Sequence, residues 1–319
     1  MSEAAQQVSA VKRGLGARLW EYQGERFPIF KHGVLIAAFG ASAVCLSALL
    51  RAGVPDWRAI VVAVLVLFGL FFQLRVADEH KDNEEDTKFR PERPVPRGLV
   101  TLAELRVVAF VVAAIQIGLT VWIEWRLLGP LALVWAWMAV MTKEFFVPAW
   151  LKKRPIVYMV SHMAIMPLID FYATACDWLQ ADLGGHEGFG LTLGAFLLLS
   201  LVNGTVIEIA RKSWAPEDER EGVETYSKLW GPGVAGTAVL GVILVGLAVA
   251  AFVNVRSGAG IWFLAGLLAV GAYAAWMAIE YAGGAKTKTA KGMETASGIY
   301  VAANYLLLGV LPLIASVMA

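Results

Sequence analysis

The chain has 319 residues, 58% hydrophobic and only 17% charged, with a mean hydropathy of +0.64. A soluble domain carries about 45–50% apolar and about 25% charged residues, so this composition excludes an ordinary soluble fold and points to a membrane protein. The 27 Lys and Arg against 26 Asp and Glu leave a formal net charge of +1, which argues against a nucleic-acid binder working by bulk charge. Cys45 and Cys176 lie in apolar stretches and are too few for a disulfide framework, and His32, His80, His162 and His186 lack the short spacing of a histidine metal centre.

Residues 1–32 are polar and of mixed charge and read as a cytoplasmic or interfacial segment, with Leu15, Leu19, Trp20 and Tyr22 available for the apolar side of an interfacial helix. They do not have the pattern of a cleaved signal peptide. A bilayer core about 30 Å thick needs about 20 apolar helical residues to cross it. Nine runs qualify over 33–319: 33–50, 58–75, 103–123, 127–146, 154–175, 188–209, 231–254, 259–281 and 296–318. The expected fold is therefore an all-α polytopic bundle of nine helices with a central cavity opening near the cytoplasmic side. With the N-terminus cytoplasmic, all but Arg51, Arg58, Arg126 and Arg256 of the 27 basic residues fall on the cytoplasmic side, as the positive-inside rule requires. The C-terminus is then extracytoplasmic, and the absence of a transit peptide suits a prokaryotic plasma membrane. The outer loops are short and the one at 176–187 is acidic.

Half of the 26 acidic residues fall in two stretches, 78–92 after the second run and 208–224 after the sixth. In the first, Asp78, Asp82 and Asp86 recur every fourth residue, which lines three carboxylates along one side of a helix leaving the membrane. Like charges at that spacing repel unless something positive neutralises them, and hard divalent cations with oxygen ligands are the natural partners. Mg²⁺ shares itself between one or two carboxylates and a substrate phosphate, so the ladder suggests a diphosphate bound through Mg²⁺. The segment FRPERPVPRG follows, where Arg90, Arg93 and Arg97 supply guanidinium forks suited to phosphate and three prolines stiffen the backbone.

The stretch from Asp78 to Gly98 resembles the first signature of the UbiA superfamily of intramembrane prenyltransferases, N-x-x-x-D-x-x-x-D followed by Arg-Pro and a glycine. Asp82 and Asp86 match the two aspartates, Arg93 and Pro94 the Arg-Pro, and Gly98 the glycine, while Asp78 stands where the family has Asn. The family's second signature, D-x-x-x-D with a later Gly and Ser or Thr, is only partly present. Gly222 and Thr225 fit its downstream part, and counting back from Gly222 gives Asp218 as the second aspartate but Trp214 as the first. Counting from the end of the sixth run gives Glu208 as the first acid and Lys212 in the second place. Either an insertion separates the two halves or a second metal is held differently. Glu208 and Asp218 are the expected ligands, with Glu217 and Glu221 in reserve, and Pro216 is expected to break the helix.

The resemblance implies a Mg²⁺-dependent transfer of an isoprenoid chain from a prenyl diphosphate to an acceptor, often aromatic. On this reading the metal ligands are Asp78, Asp82, Asp86, Glu208 and Asp218, and the catalytic residues Asp82, Asp86, Arg93 and Lys143. Substrate-binding candidates are Arg93, Arg97, Lys152, Lys153, Arg154, Asn203, Lys212 and Tyr158. The basic cluster at 152–154 is similar to the family's Lys-Arg pair for diphosphate, and positive-inside anchoring explains it equally. Lys143 at the end of the fourth run is an ionisable residue at membrane depth with Glu144 as its nearest partner. His162, Asp170, Asn203, Glu280, Asn304 and Tyr305 are candidates for lining a cavity or for interhelical hydrogen bonds. Trp135, Trp137, Tyr158, Phe171 and Tyr172 are candidates for a prenyl tunnel or for packing. Two other readings remain: a terpene cyclase of the same superfamily that uses no acceptor, and a cation-coupled carrier. A carrier would place its acids near the midplane of broken helices, whereas these acids cluster at one membrane edge.

Overall fold

The computed structural model describes residues 14–181 and 189–318, and all regular structure among them is helical. His186 and the rest of the outer loop from 182 to 187 lie outside the described residues. In chain order the helices are α1 (Leu15–Arg26), α2 (Ile29–Leu50), α3 (Trp57–Lys81), α4 (Asn83–Phe89), α5 (Leu102–Ile123), α6 (Leu128–Thr142), α7 (Pro148–Lys152) and α8 (Pro155–Met163). They continue as α9 (Ile165–Trp178), α10 (Phe189–Arg211), α11 (Tyr226–Trp230), α12 (Pro232–Ser257), α13 (Ile261–Gly283), α14 (Thr287–Leu308) and α15 (Val310–Met318). Among the described residues nine helical units are long and apolar enough to cross a bilayer, with α8–α9 and α14–α15 each acting as one.

Local chemistry explains the ends and breaks. Asp56 caps α3 by accepting from the Arg58 N–H at 2.9 Å, and Thr101 and Glu104 form a reciprocal capping box at the start of α5. The breaks at Ala164 and Gly309 each fall three residues before a proline, Pro167 and Pro312. A proline donates no backbone hydrogen bond and crowds the carbonyl four residues back, so the helix gives way there.

Three boundaries differ from the hydropathy reading, and each difference moves a polar group. The second crossing runs on to Lys81, which puts Asp78 on a rigid helix. The ninth begins at Thr287, so its first turns carry Lys288, Lys291 and Glu294. The fourth ends at Thr142, and Glu144, Phe145 and Phe146 then adopt left-handed backbone at φ 47, 54 and 60. Such a run is costly for residues with side chains, and it reverses the chain so that Glu144 is buried while Lys143 stays exposed.

Burial separates interior from peripheral helices. Over half of the apolar window of Ile29–Leu50 and of Phe189–Arg211 is buried (56% each), against 11% for Leu102–Ile123. The outer side of α5 shows Val107, Phe110, Val111, Ile115 and Trp122, an apolar surface suited to lipid rather than water.

Helix α1 is docked rather than free. Tyr22 is buried among Val76, Leu99, Val100 and Leu105 with Leu19 alongside, whereas Leu15 and Trp20 stay exposed. Three sets of ion pairs fasten it: Arg18 to Glu104 (2.6 Å), Arg26 to Glu79 (2.5 Å), and Arg97 to Glu21 and Glu25 (3.0 and 2.6 Å).

Candidate functional site

The first acidic stretch keeps helix-like hydrogen bonds past its aspartates, although Asp82 itself is the non-helical joint between α3 and α4. The Asp82 N–H donates to the Asp78 carbonyl and the Asp86 N–H to the Asp82 carbonyl, both at 2.8 Å, so the three recur once per turn. Their side chains nevertheless have different surroundings. The Asp78 side chain is 51% exposed and meets Arg75 only at 3.5 Å. Asp86 is 2% exposed, with one oxygen 3.1 Å from Arg90 and the other 2.5 Å from Arg93. The junction of α3 and α4 at Asp82 separates the two environments.

The Arg-Pro segment is a series of tight turns. The N–H groups of Arg97, Gly98 and Leu99 bond to the carbonyls of Arg93, Val95 and Pro94 at 3.0, 3.0 and 2.9 Å. Gly98 has φ +77, a left-handed geometry that favours glycine. Arg97 faces away from the aspartates toward α1. Its guanidinium holds the Glu25 carboxyl below the usual range, so this candidate phosphate ligand is committed to fastening α1.

Lys81, one residue before Asp82, joins a cluster that sequence reasoning missed. Its ammonium lies 3.2 Å from the Glu144 carboxylate and 3.5 Å from His162 Nε2, and it contacts the Tyr158 hydroxyl. Tyr158 and His162 stack with ring centres 4.1 Å apart. His162 Nδ1 is 2.8 Å from the Tyr158 carbonyl, which makes Nδ1–H the donor of the neutral ring and leaves Nε2 as an acceptor toward Lys81. Spacing offers one clue, since Lys81 is three residues from Asp78 and so shares its side of the helix.

The last turn of α10 brings the second stretch to the same end of the bundle. Glu208 receives Arg211 on one oxygen at 2.6 Å and Lys212 on the other at 2.8 Å. Arg211 also interacts electrostatically with Asp78 and with Glu294 of α14, and Asp78 with Asp82 and Lys81. The segment after Lys212 is a closed excursion, because the Tyr226 N–H returns to the Lys212 carbonyl at 2.8 Å. Burial and the Glu208 charge push the Tyr226 phenol above its ordinary value. Within the excursion Glu219 accepts from the hydroxyls of Thr225 and Ser227, both at 2.6 Å. Glu217 accepts the Thr287 N–H at 2.9 Å at the start of α14, and that bond holds its carboxyl below the usual value. Asp218 is half-buried on the turn Pro216–Asp218, and Glu221 is exposed. Gly222 has φ +73, and a Cβ there would stand 2.6 Å from the Phe89 ring of α4, so the two stretches touch through a glycine.

The other candidates sit apart from this cluster. Lys152, Lys153 and Arg154 are exposed, with Arg154 over the Trp150 ring at 4.3 Å. Asn203 is buried and accepts from Asn304 at 3.0 Å, which joins α10 to α14. Asp170 accepts from the Tyr305 hydroxyl in the buried interior.

Among the described residues no three His, Cys, Asp or Glu side chains converge as a ready metal cage. Asp78 and Asp82, one turn apart with Asp78 open to solvent, still fit Mg²⁺, which needs only one or two carboxylates besides water and phosphate.

A model of the UbiA prenyltransferase family matches residues 31–299. Among solved structures, one from work on digeranylgeranylglyceryl phosphate synthase in membranes aligns with a TM-score of 0.65 and 15% identity, over 95% of this chain and 100% of that one. The apo structure of a UbiA homolog from Aeropyrum pernix K1 aligns with a TM-score of 0.64 and 16% identity, over 89% of this chain and 98% of that one. At such identities the likeness is one of fold, and no curated protein matches the chain. With the family model spanning most of its length and nine apolar helices among its described residues, the chain is an integral multi-pass membrane protein belonging to the UbiA prenyltransferase family.

Proposed function

We propose that the protein is a Mg²⁺-dependent prenyltransferase that ionises an allylic prenyl diphosphate and passes the isoprenoid chain to an acceptor within the membrane. The observation that carries this reading is the placing of Asp78 and Asp82, whose charges act together with those of Lys81 and Arg211, at one end of an apolar bundle. Asp78 and Asp82 hold the metal, and Asp86 sets Arg90 and Arg93 in place behind them. When bound, Mg²⁺ supplies positive charge that offsets the charge building on the leaving diphosphate. Lys81 and Arg211 add fixed cations at the same point, and such preorganised charge is the main catalytic term for a bond that breaks heterolytically. The allylic C–O electron pair leaves with the diphosphate, the acceptor's electron pair forms the new bond to carbon, and the displaced proton goes to diphosphate or water. Apolar helix walls keep water from the allylic cation. The distribution of basic residues supports a cytoplasmic N-terminus and an extracytoplasmic C-terminus, in a prokaryotic plasma membrane.

The test is diphosphate release by detergent-purified protein offered geranyl to geranylgeranyl diphosphates, with Mg²⁺ or EDTA and a panel of aromatic acceptors. Release that needs Mg²⁺ and falls at least about a hundredfold in Asp82→Asn supports the reading. A cyclic product without acceptor would instead favour a cyclase, and no release with any donor and acceptor would remove the enzyme assignment.

A further inference from the structure

Resting on the diphosphate reading above, we propose that the end of α10, at the same end of the bundle as Asp78 and Asp82, is a fixed cationic subsite, in which Arg211 and Lys212 take the place of a second divalent cation on the substrate diphosphate. The two helix ends have the same helical spacing and opposite charge. Asp78 and Asp82 are four residues apart and both acidic, whereas Glu208 and Lys212 are four residues apart and pair with each other at 2.8 Å. Arg211 takes the remaining Glu208 oxygen at 2.6 Å, so each oxygen of that carboxylate already carries a cation.

Two of the neighbouring acids are engaged as well, while half-buried Asp218 and exposed Glu221 stand further along the excursion. Glu217 binds the first turn of α14 and Glu219 the Thr225 and Ser227 hydroxyls. The end of α10 therefore offers two cations against one carboxylate. The Arg211 side chain is 53% exposed and uses one terminal nitrogen on Glu208, which leaves further N–H donors of its fork for phosphate oxygens. Its charge also acts on Asp78. An anion bound at this end of the bundle would meet a divalent cation at Asp78 and guanidinium and ammonium at the end of α10, where like charge disfavours a second metal.

Inorganic pyrophosphate and Mn²⁺ are suitable probes for the detergent-purified chain, with bound Mn²⁺ counted by electron paramagnetic resonance and pyrophosphate affinity measured by calorimetry. The wild type is expected to retain about one Mn²⁺ per chain at saturating pyrophosphate, and Lys212→Asp about two, because it restores a paired-carboxylate site. Arg211→Gln and Lys212→Gln should each weaken pyrophosphate binding about tenfold without changing the metal count. Two Mn²⁺ on the wild type would overturn the proposal, as would unchanged affinity in both glutamine variants. These glutamine variants decide the matter if Lys212→Asp does not fold, as judged by its helical circular dichroism. Failure of the wild type to bind pyrophosphate with Mn²⁺ at all would overturn the underlying diphosphate reading, an outcome distinct from binding with two metals.

Discussion

Asp78–Asp82–Asp86 and Glu208–Lys212 stand on helices that end at the same face of the bundle, and each set repeats with one helical turn. In the first the carboxylates divide their tasks, with Asp78 open and Asp86 enclosed by Arg90 and Arg93. In the second a single carboxylate is covered by the two cations beside it. Turn spacing therefore sets which side chains share a surface but not the sign or the availability of their charge. The partners decide that, Arg90 and Arg93 for Asp86 and Arg211 and Lys212 for Glu208.

The sharpest way to break the comparison is to strip Asp86 of its partners. A buried carboxylate without a counter-ion is strongly destabilising, so Arg90→Gln with Arg93→Gln should cost about 3 kcal/mol or more, read as a lower melting temperature in detergent. Adding Asp86→Asn removes the orphaned charge and should restore most of the loss. Equal stability of the double variant and the wild type would mean that Asp86 is solvated like Asp78, and the division of tasks would be gone.

A smaller effect is expected where the two stretches touch. Gly222→Ala must adopt a left-handed backbone and push its Cβ into the Phe89 ring, at a cost of about 1–3 kcal/mol. Combining it with Phe89→Ala should return only the part due to the clash, since the backbone term remains. Full recovery in the pair would show that the backbone contributes nothing.

Much of the architecture could be read from hydropathy, because a membrane crossing is a long local signal, and the breaks follow from Pro167 and Pro312 alone. The aspartate ladder was legible for the same reason, being a matter of turn spacing. Its division at Asp82 was not, because Arg93 reaches Asp86 only through the turns that follow α4. Likewise Arg97 looked like a phosphate ligand, but Glu21 and Glu25, more than seventy residues earlier, claim it once α1 docks. Glu144 is buried and Lys143 exposed where three successive left-handed residues turn the chain after α6. The partner of Glu144 is Lys81 on another helix, a pairing that no local pattern encodes.

The mildest test concerns Glu217, whose carboxylate is engaged at the start of α14. Its oxygen accepts the Thr287 N–H at 2.9 Å and the Thr287 hydroxyl at 3.1 Å, at a helix start that lacks other acidic side chains in its first turn. An anion there offsets unpaired N–H groups and the positive end of the helix. Because folding lowers the carboxyl below its ordinary value of 4.5, the stabilisation is fully present above that pH and is lost as pH falls through the lowered folded value. Glu217→Gln should therefore melt slightly below the wild type at about pH 7, with the gap closing in acid as the wild-type carboxylate is protonated. A gap that stays constant into strong acid would show that Glu217 does not act as a charged cap, and would return its carboxylate to the pool available to a metal.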